Sequence, residues 1–285
     1  MNSNKENGIG VKGRRVIAYT VLIILTFLCL IWFYILVINA TRTNSMLKRG
    51  FTPLPSTHLI ENMINLLFHS TQPVLKGLRN SLIVSALTAV LTTYFSTMTA
   101  YAIHTYEFKG RKAFFTFILM VMMIPTQVTA LGFIQFMTKL KLINSFAPLV
   151  IPAIASPVTF FYLKQYMDST LSLSLIEAAR IDGAGEFRIF NTIALPLMKP
   201  AISVQAIFAF VSSWNNYFTP ALILQKDEMK TLPILIAELR SADFLKFDMG
   251  IVYAMILFSI LPVVVVYLIL SKNIVAGVQL GGVKE

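Results

Sequence analysis

The amino-acid sequence predicts an all-α membrane protein with six transmembrane helices. Of its 285 residues, 56% are hydrophobic and only 13% are charged, and the mean hydropathy is +0.72. A soluble domain has about 45–50% apolar and about 25% charged residues. Six separate segments are also apolar for about 20 residues each, the length that a helix needs to cross a bilayer. These observations exclude a disordered chain and a soluble enzyme with an ordinary polar surface.

The predicted spans contain no Asp, Glu, Lys or Arg, each of which costs at least about 2.5 kcal/mol at the bilayer centre. They run over Val16–Ala40, Ser81–Ile103, Ala113–Met137, Ser145–Leu163, Ala201–Leu224 and Met249–Leu270. The first follows basic residues, as a signal-peptide core would, but its apolar run is longer than such a core of about 7–15 residues. We therefore expect an uncleaved anchor. In the third span Pro125 removes a backbone hydrogen bond, which predicts a kink or a hinge.

The charges are grouped between the apolar runs. The net charge is +11, and this grouping indicates loops at a membrane surface and not a nucleic-acid-binding face. An even number of spans places both termini on one side, which carries 13 of the 24 Lys and Arg residues, against 11 on the other. The positive-inside rule thus leans towards cytoplasmic termini without deciding the orientation. Cys29 is the single cysteine, so no intrachain disulfide can form and no cysteine cluster offers zinc ligands. We expect neither a bound metal nor a cofactor.

The spans also lack the titratable groups that a proton-driven pump usually needs. His104 lies at the end of the second span, and no phosphate-binding G-x-x-x-x-G-K-[ST] loop is present. Uphill transport would therefore need energy from another subunit, whereas downhill transport could proceed alone. A membrane-embedded enzyme is disfavoured, because we find no cluster of Asp, His or Glu near a membrane face.

The long loop at 167–200 is the most informative segment. Ser174 and Glu177 have the spacing of a capping box at a helix start. The glycines of Asp182-Gly183-Ala184-Gly185 predict a tight turn, because glycine tolerates positive φ. A second amphipathic segment at 186–194, with Phe187, Phe190 and Ile193 at spacings of three, is expected to end at Leu195-Pro196. This pattern predicts two short helices outside the membrane, either as a docking element or as a plain interfacial pair.

Several motifs over residues 76–285 resemble those of ABC importer permeases. Glu177-Ala178-Ala179, then Gly183, then Ile193-Ala194-Leu195-Pro196 match the family's EAA loop without a gap. Further matches to the maltose-type (MalG-like) sugar permeases are Arg79–Leu82, Phe108–Arg111, Met123–Pro125, Ser213–Asn216 and the tail Val275–Glu285. Glu285 departs from this pattern, since the family mostly has glycine there.

The resemblance implies the type I ABC importer permease fold and a transport subunit that is not itself an enzyme. It divides the chain into a cytoplasmic lead (1–15), a first helix with an outer loop (16–75), the transmembrane domain (76–271) and a cytoplasmic tail (272–285). The implied partners are a homologous MalF-like permease, two copies of a cytoplasmic ABC ATPase and an extracytoplasmic sugar-binding protein. The residues expected to couple to the ATPase are Glu177, Ala178, Ala179, Asp182, Gly183, Ala184, Leu195 and Pro196, and the loop that holds them is then cytoplasmic.

Two further groups are candidate site residues. The polar part of the fifth span, with Asn215, Asn216, Trp214, Gln205 and Ser213, either lies beside the translocation path or links helices through hydrogen bonds. For Trp214 we favour packing. The polar loop at 225–247, with Asp227, Glu228, Arg240 and Asp243, either docks the binding protein or is an ordinary solvated loop. A permease for another small solute and an ATPase-independent secondary transporter remain alternatives.

Overall fold

The computed structural model describes residues 11–70, 72–241 and 248–281, and these ranges contain helices and loops without β-strands. The helices are α1 (Val11–Ala40), α2 (Asn44–Lys48), α3 (Leu59–Ile64), α4 (Val74–Thr105), α5 (Arg111–Val121), α6 (Thr126–Lys139), α7 (Ala147–Val150), α8 (Pro157–Thr170), α9 (Leu173–Ile181), α10 (Glu186–Ile189), α11 (Leu195–Leu197), α12 (Lys199–Trp214), α13 (Phe218–Ile223), α14 (Leu232–Ser241) and α15 (Met249–Gly281). Most of the predicted lead and the end of the predicted tail lie outside the described residues.

The predicted apolar segments are helical. Four helical runs are long and apolar enough to cross a bilayer, and they correspond to the first, second, fourth and sixth predicted spans: Lys12–Ala40, Val74–Thr105, Ala147–Thr170 and Met249–Lys272. The fifth predicted span begins as α12 and continues, after a break, as α13. Residues 186–197 and α12 together form a fifth candidate, bent by 80°.

The third predicted span is two helices and not one. α5 ends at Val121, and α6 begins at Thr126 after the extended residue Pro125, whose φ and ψ are −63° and 128°. Proline lacks an N–H and drives the residue before it out of the helical region, so the helix ends before it. The predicted break at Pro125 is confirmed. At Pro262, by contrast, α15 continues through the proline.

The described residues divide into two compact units, one from 11–69 and 248–258 and the other from 70, 72–241 and 259–281. In the first unit, α1 exposes its large apolar side chains, as a lipid-facing helix does. The amide nitrogen of Asn62 donates to the carbonyls of Ala40 and Arg42, at 2.9 and 3.0 Å. These hydrogen bonds hold the chain where it leaves α1.

Helix α4 is the central element of the second unit, where it packs along α12 and α8 and also contacts α7 and α14. Its buried face consists largely of small and hydroxyl residues, which include Gly77, Ser81, Ser85, Thr88, Ala89, Thr92, Thr93, Ser96, Thr97 and Ala100. Small residues let helix backbones approach closely, which is how helices associate where lipid removes the hydrophobic driving force. The 32 residues of α4 give it a length of about 48 Å, which exceeds the thickness of a bilayer.

Candidate functional site

The loop that carries the EAA motif, residues 172–197, is hereafter called the EAA loop. Its first helix, α9, begins two residues earlier than predicted, at Leu173, and Ser172 is the N-cap without a side-chain capping bond. Ser174 therefore lies inside the helix, and its hydroxyl pairs with that of Ser172 at 2.5 Å. The predicted capping box of Ser174 and Glu177 is wrong, because α8 ends at Thr170 and leaves only two residues before α9 starts.

The turn after α9 is a Schellman motif centred on Gly183. The N–H of Ala184 donates to the carbonyl of Ala179, and the N–H of Gly183 donates to that of Arg180, both at 3.0 Å. Gly183 is left-handed with φ of +78°, a conformation that glycine adopts without strain. The predicted turn is confirmed. A Cβ at Gly183 would meet nothing within 4 Å, so the need for glycine within this chain is conformational and not steric.

The second arm of the EAA loop runs farther than predicted. It continues from Glu186 through a π-helical turn at Phe190–Ala194 and past Pro196 to Leu197, and then bends by 80° into α12. Pro196 does not end the helical path, which passes through it directly after the π-helical turn. The predicted apolar face is also partly wrong. Phe190 is buried, whereas the Phe187 side chain is 71% exposed.

Glu186 joins the EAA loop to the end of α4. Its Oε1 accepts a hydrogen bond from Arg180 Nε at 2.6 Å, and its Oε2 accepts from the hydroxyls of Tyr106 and Tyr101 at 2.6 and 3.3 Å. The Arg180 guanidinium also lies 5.6 Å above the Tyr106 ring. Arg180, followed by Tyr106, holds the pKa of the Glu186 carboxyl below its usual value. The ion pair is therefore fully formed at neutral pH and is lost only as the pH falls through this lowered pKa.

A second polar cluster holds the start of the EAA loop. The two ring nitrogens of His104 face the Asp168 Oδ1 at 2.7 Å and the Leu171 carbonyl at 2.9 Å. Lys164 Nζ donates to both carboxylate oxygens of Asp168 at 2.6 Å. Because both partners of the imidazole are acceptors, both nitrogens donate only when the ring is doubly protonated. The end of α4 is thus bonded to the residue that leads into α9.

An apolar cluster supports the EAA loop from beneath. Its buried members come from α4, α8 and both arms of the loop: Ala100, Tyr101, Ile103, Phe160, Leu163, Met167, Leu171, Ile176, Ala179, Ile189, Phe190, Ala194, Met198 and Ala201. Burying a large apolar side chain stabilises by about 1.5–3 kcal/mol. The EAA loop therefore packs against these helices through a shared apolar core and is not a flexible connection.

The predicted coupling residues divide between the two faces of this loop. Ala179 is buried, and Ala184 and Leu195 are half-buried against the cluster. The remaining predicted residues are exposed, namely Glu177, Ala178, Asp182, Gly183 and Pro196. Two apolar side chains that were not predicted to couple to the ATPase share the exposure, Ile181 at 87% and Phe187 at 71%. The turn of the EAA loop thus presents apolar side chains among charges of both signs, because Arg188 is exposed as well.

The loop between α13 and α14, residues 224–231, lies at the other end of α4 and is hereafter called the Asp227 loop. The Asn80 amide nitrogen donates to the carbonyls of Glu228 and Lys230, both at 2.9 Å, and Ser81 Oγ accepts from the Leu232 N–H at 2.9 Å. Asn144 Oδ1 accepts from two further backbone N–H groups, at 2.7 and 2.9 Å. Side-chain amides therefore fix the backbone of this loop.

The predicted residues of the Asp227 loop are exposed where they are described. Asp227 and Glu228 begin a short 3-10 turn, and Arg240 is exposed at the end of α14. Asp243 lies outside the described residues. Lys230 Nζ bonds Asp227 at 2.6 Å and Glu238 at 2.5 Å, and these carboxylates raise the pKa of the lysine.

The polar residues of the fifth predicted span do not form one surface. Trp214 is buried, donates to the Ser259 carbonyl at 3.2 Å and stacks on Phe210, so it packs as expected. Gln205 is buried, Ser213 is half-buried, and Asn215 is exposed. Asn216 alone of the five lines a cavity of about 540 Å³, whose other polar and aromatic walls are Thr129, Phe133, Phe136, Phe218 and Thr219. In the described ranges, no group of three His, Cys, Asp or Glu residues could hold a metal ion.

The sequence and the fold of this chain are similar to those of known proteins. Residues 95–278 match the family described as "Binding-protein-dependent transport system inner membrane component". The arabinooligosaccharides transport system permease protein AraQ of Halalkalibacterium halodurans is 36% identical over 81% of this chain and 86% of its own. The sn-glycerol-3-phosphate transport system permease protein UgpE of Salmonella typhi is 30% identical over 93% and 96%. A chain of a bacterial ABC transporter that imports the polysaccharide alginate has the same fold, with a TM-score of 0.78 at 22% identity over 93% and 99%.

Glu186→Gln should loosen the EAA loop, because the amide keeps the side-chain shape but cannot form the ion pair with Arg180. The side chains of Glu186 and Arg180 are 42% and 36% exposed, so we expect the local stability of the loop to fall by about 1 kcal/mol. This corresponds to roughly fivefold faster amide exchange over residues 180–190. Glu177→Gln is the matched control, since the exposed Glu177 makes no ion pair among the described residues. Equal exchange in both variants would contradict the role of Glu186.

Proposed function

Because the chain belongs to the family of binding-protein-dependent transport system inner membrane components, we propose that it is the permease subunit of an importer that moves a sugar or oligosaccharide. Members of this family are transport components and not enzymes, and they work with an ATPase and a substrate-binding protein. The observation that carries the proposal is the EAA loop, which is bonded to α4 on one face and exposed on the other.

The exposed turn of the EAA loop is the proposed docking face for the ATPase. Ile181 and Phe187 offer apolar side chains, and Glu177 and Asp182 flank them with negative charge. Exposed apolar residues next to charged ones are typical of protein interfaces. Ala178 and Gly183 add no bulk at this face, so a partner surface can approach the backbone closely.

Force applied to this face would reach the opposite end of the unit through α4. Tyr106 and His104 bond α4 to the EAA loop, and Asn80 bonds it to the Asp227 loop. In the proposed mechanism of alternating access, closure of the ATPase around ATP moves the EAA loop, α4 and the Asp227 loop together. The binding protein, docked on Asp227, Glu228 and Arg240, would then release its solute into the opened path.

The assembly and orientation are also part of the proposal. We infer that a second, homologous MalF-like permease and two ATPase copies complete the importer, as the motifs of the EAA loop imply. The EAA loop then faces the cytoplasm. With an even number of spans, both termini lie on that side as well, in agreement with the small excess of basic residues there.

A sugar is the favoured solute, because the arabinooligosaccharide permease is similar over most of this chain. The similar sn-glycerol-3-phosphate permease supports the alternative of another small solute. A secondary transporter without an ATPase is the second alternative, and the exposed EAA turn argues against it.

The experiment that tests the proposal is a tagged purification from the native membrane in mild detergent, with identification of the co-purifying proteins. We expect a second permease and a P-loop ATPase in a ratio of 1:1:2. The neighbouring binding protein is then screened against sugars and against glycerol phosphates. Recovery of the chain alone or as a homo-oligomer would contradict the importer and would favour the secondary transporter.

Gly183→Ala should insert normally but uncouple solute uptake from ATP hydrolysis. An alanine at φ of +78° costs about 1–2 kcal/mol, so the exposed turn would change shape, and Gly183→Val should be more severe. Gly185→Ala is a matched control, because Gly185 has φ of −70° and equally open surroundings. Uptake and ATPase activity are measured in proteoliposomes. Normal uptake by Gly183→Val would refute the proposed role of this turn.

Glu228→Lys should weaken docking of the binding protein without affecting ATPase assembly, because the exposed Glu228 carries charge at the proposed docking face. Glu107→Lys, an equal charge change on an exposed residue after α4, serves as the control. The measurement is the affinity of the binding protein for the purified complex at low and high salt. No difference between the two variants would argue that the Asp227 loop is merely solvated.

Asn216→Ala should lower the rate of solute uptake at unchanged ATPase coupling, because Asn216 is one of three polar residues that line a largely apolar cavity with aromatic walls. Gln205→Ala should instead lower thermal stability, since Gln205 is buried. Unchanged uptake by Asn216→Ala, measured as a function of solute concentration, would place the path elsewhere.

A further inference from the structure

A second cavity, of about 590 Å³, lies between α5, α8 and the end of α4, and no step of the proposed transport uses it. Its walls are Ile103, Arg111, Lys112, Phe115, Thr116, Lys164, Gln165 and Asp168. It lies at the same end of the second unit as the EAA loop, because its wall residue Asp168 is bonded to His104, whose other ring nitrogen is bonded to the Leu171 carbonyl.

The polar part of this cavity carries an excess of positive charge. Asp168 is its single acidic wall residue, and Lys164 already pairs with both oxygens of that carboxylate. Arg111 and Lys112 are left without a carboxylate partner among the described residues, and the only side-chain hydrogen bond of Arg111 there is a long one of 3.4 Å to the His104 carbonyl. The cavity can therefore accept an anion.

The backbone of α5 adds to this positive potential. Arg111 and Lys112 are the first two residues of α5. The Arg111 N–H is bonded to the Phe108 carbonyl at 3.2 Å, but the N-cap Gly110 has no side chain to cap the N–H groups that follow. The first turn of α5 also contains no acidic residue. Unpaired N–H groups at the start of a helix favour a phosphate or carboxylate group.

The other part of the cavity is apolar. Ile103 and Phe115 form its apolar wall, and Phe115 packs edge-on against Phe160 at 6.0 Å. Next to it, α5 exposes Phe114 and Phe117, at 56% and 57%. A free phosphate ion gains nothing from such a surface, whereas acyl chains below a phosphate group would cover it.

We propose that this cavity binds the headgroup of an anionic phospholipid from the leaflet on the side of the EAA loop. Arg111, Lys112 and the N-terminus of α5 hold the phosphate, and Phe115 contacts the chains. Basic cavities between membrane helices are known recognition sites for such headgroups. That the leaflet is the cytoplasmic one rests on the proposed orientation, but the site itself does not.

The test uses the tagged full-length chain, purified with whatever subunits accompany it, after removal of endogenous lipid. Phosphatidylglycerol and phosphatidylcholine with the same acyl chains are titrated separately, and bound lipid is counted by native mass spectrometry. We expect retention of phosphatidylglycerol and not of phosphatidylcholine. Arg111→Gln/Lys112→Gln should weaken phosphatidylglycerol binding by about tenfold or more, because each basic residue contributes separately to the attraction.

Lys139→Gln/Lys141→Gln is the control, because it removes the same charge from exposed residues at the end of α6. Lys112→Gln alone, at an exposed residue, provides a second variant if the double one fails to assemble. Inorganic phosphate is added as a competitor. Equal binding of both lipids, equal loss in the control, or displacement of the lipid by millimolar phosphate would overturn the proposal. Failure to recover an ATPase would leave this result unaffected, so the two proposals are tested separately.

Discussion

The close packing of α4 against α12 and α8 is the constraint on which the second unit depends. Small and hydroxyl residues line the buried face of α4. The hydroxyls of Thr93 and Thr97 donate hydrogen bonds to backbone carbonyls one turn earlier in the helix, at 2.8 and 2.6 Å. In lipid, such packing replaces the hydrophobic driving force that holds soluble helices together. A larger side chain on this face would separate the helices and displace whatever is bonded to the ends of α4.

Two loops are bonded to those ends through polar side chains. Tyr106 reaches Glu186 in the EAA loop, and Asn80 reaches two carbonyls of the Asp227 loop. The same helix therefore positions the face proposed for the ATPase and the face proposed for the binding protein. Because both loops are bonded to α4, a displacement of one proposed docking face can reach the other through this helix, without a flexible linker between them.

Much of this arrangement is predictable from the sequence, because hydropathy defines the spans, Pro125 defines the break and glycine spacing defines the left-handed turn at Gly183. The hydrogen bonds that attach the two loops to the ends of α4 were not predicted. Tyr101, His104 and Asn80 lie in or beside an apolar run, and only the fold brings them to partners more than 60 residues away. The polar face of α4 was also missed, since serines and threonines at helical spacing leave the mean hydropathy high.

The most direct test of the account is the distance between the two loops within one chain. Spin labels at Thr192, an exposed residue of the EAA loop outside the proposed docking face, and at Lys226 would be introduced in a Cys29→Ser background. Their distance would be measured by pulsed electron resonance in the assembled importer, with and without ATP. If both loops move with α4, the distance within the chain stays constant while the distance between Thr192 and the partner permease changes. A change within the chain as large as the change between the two permeases would contradict the account.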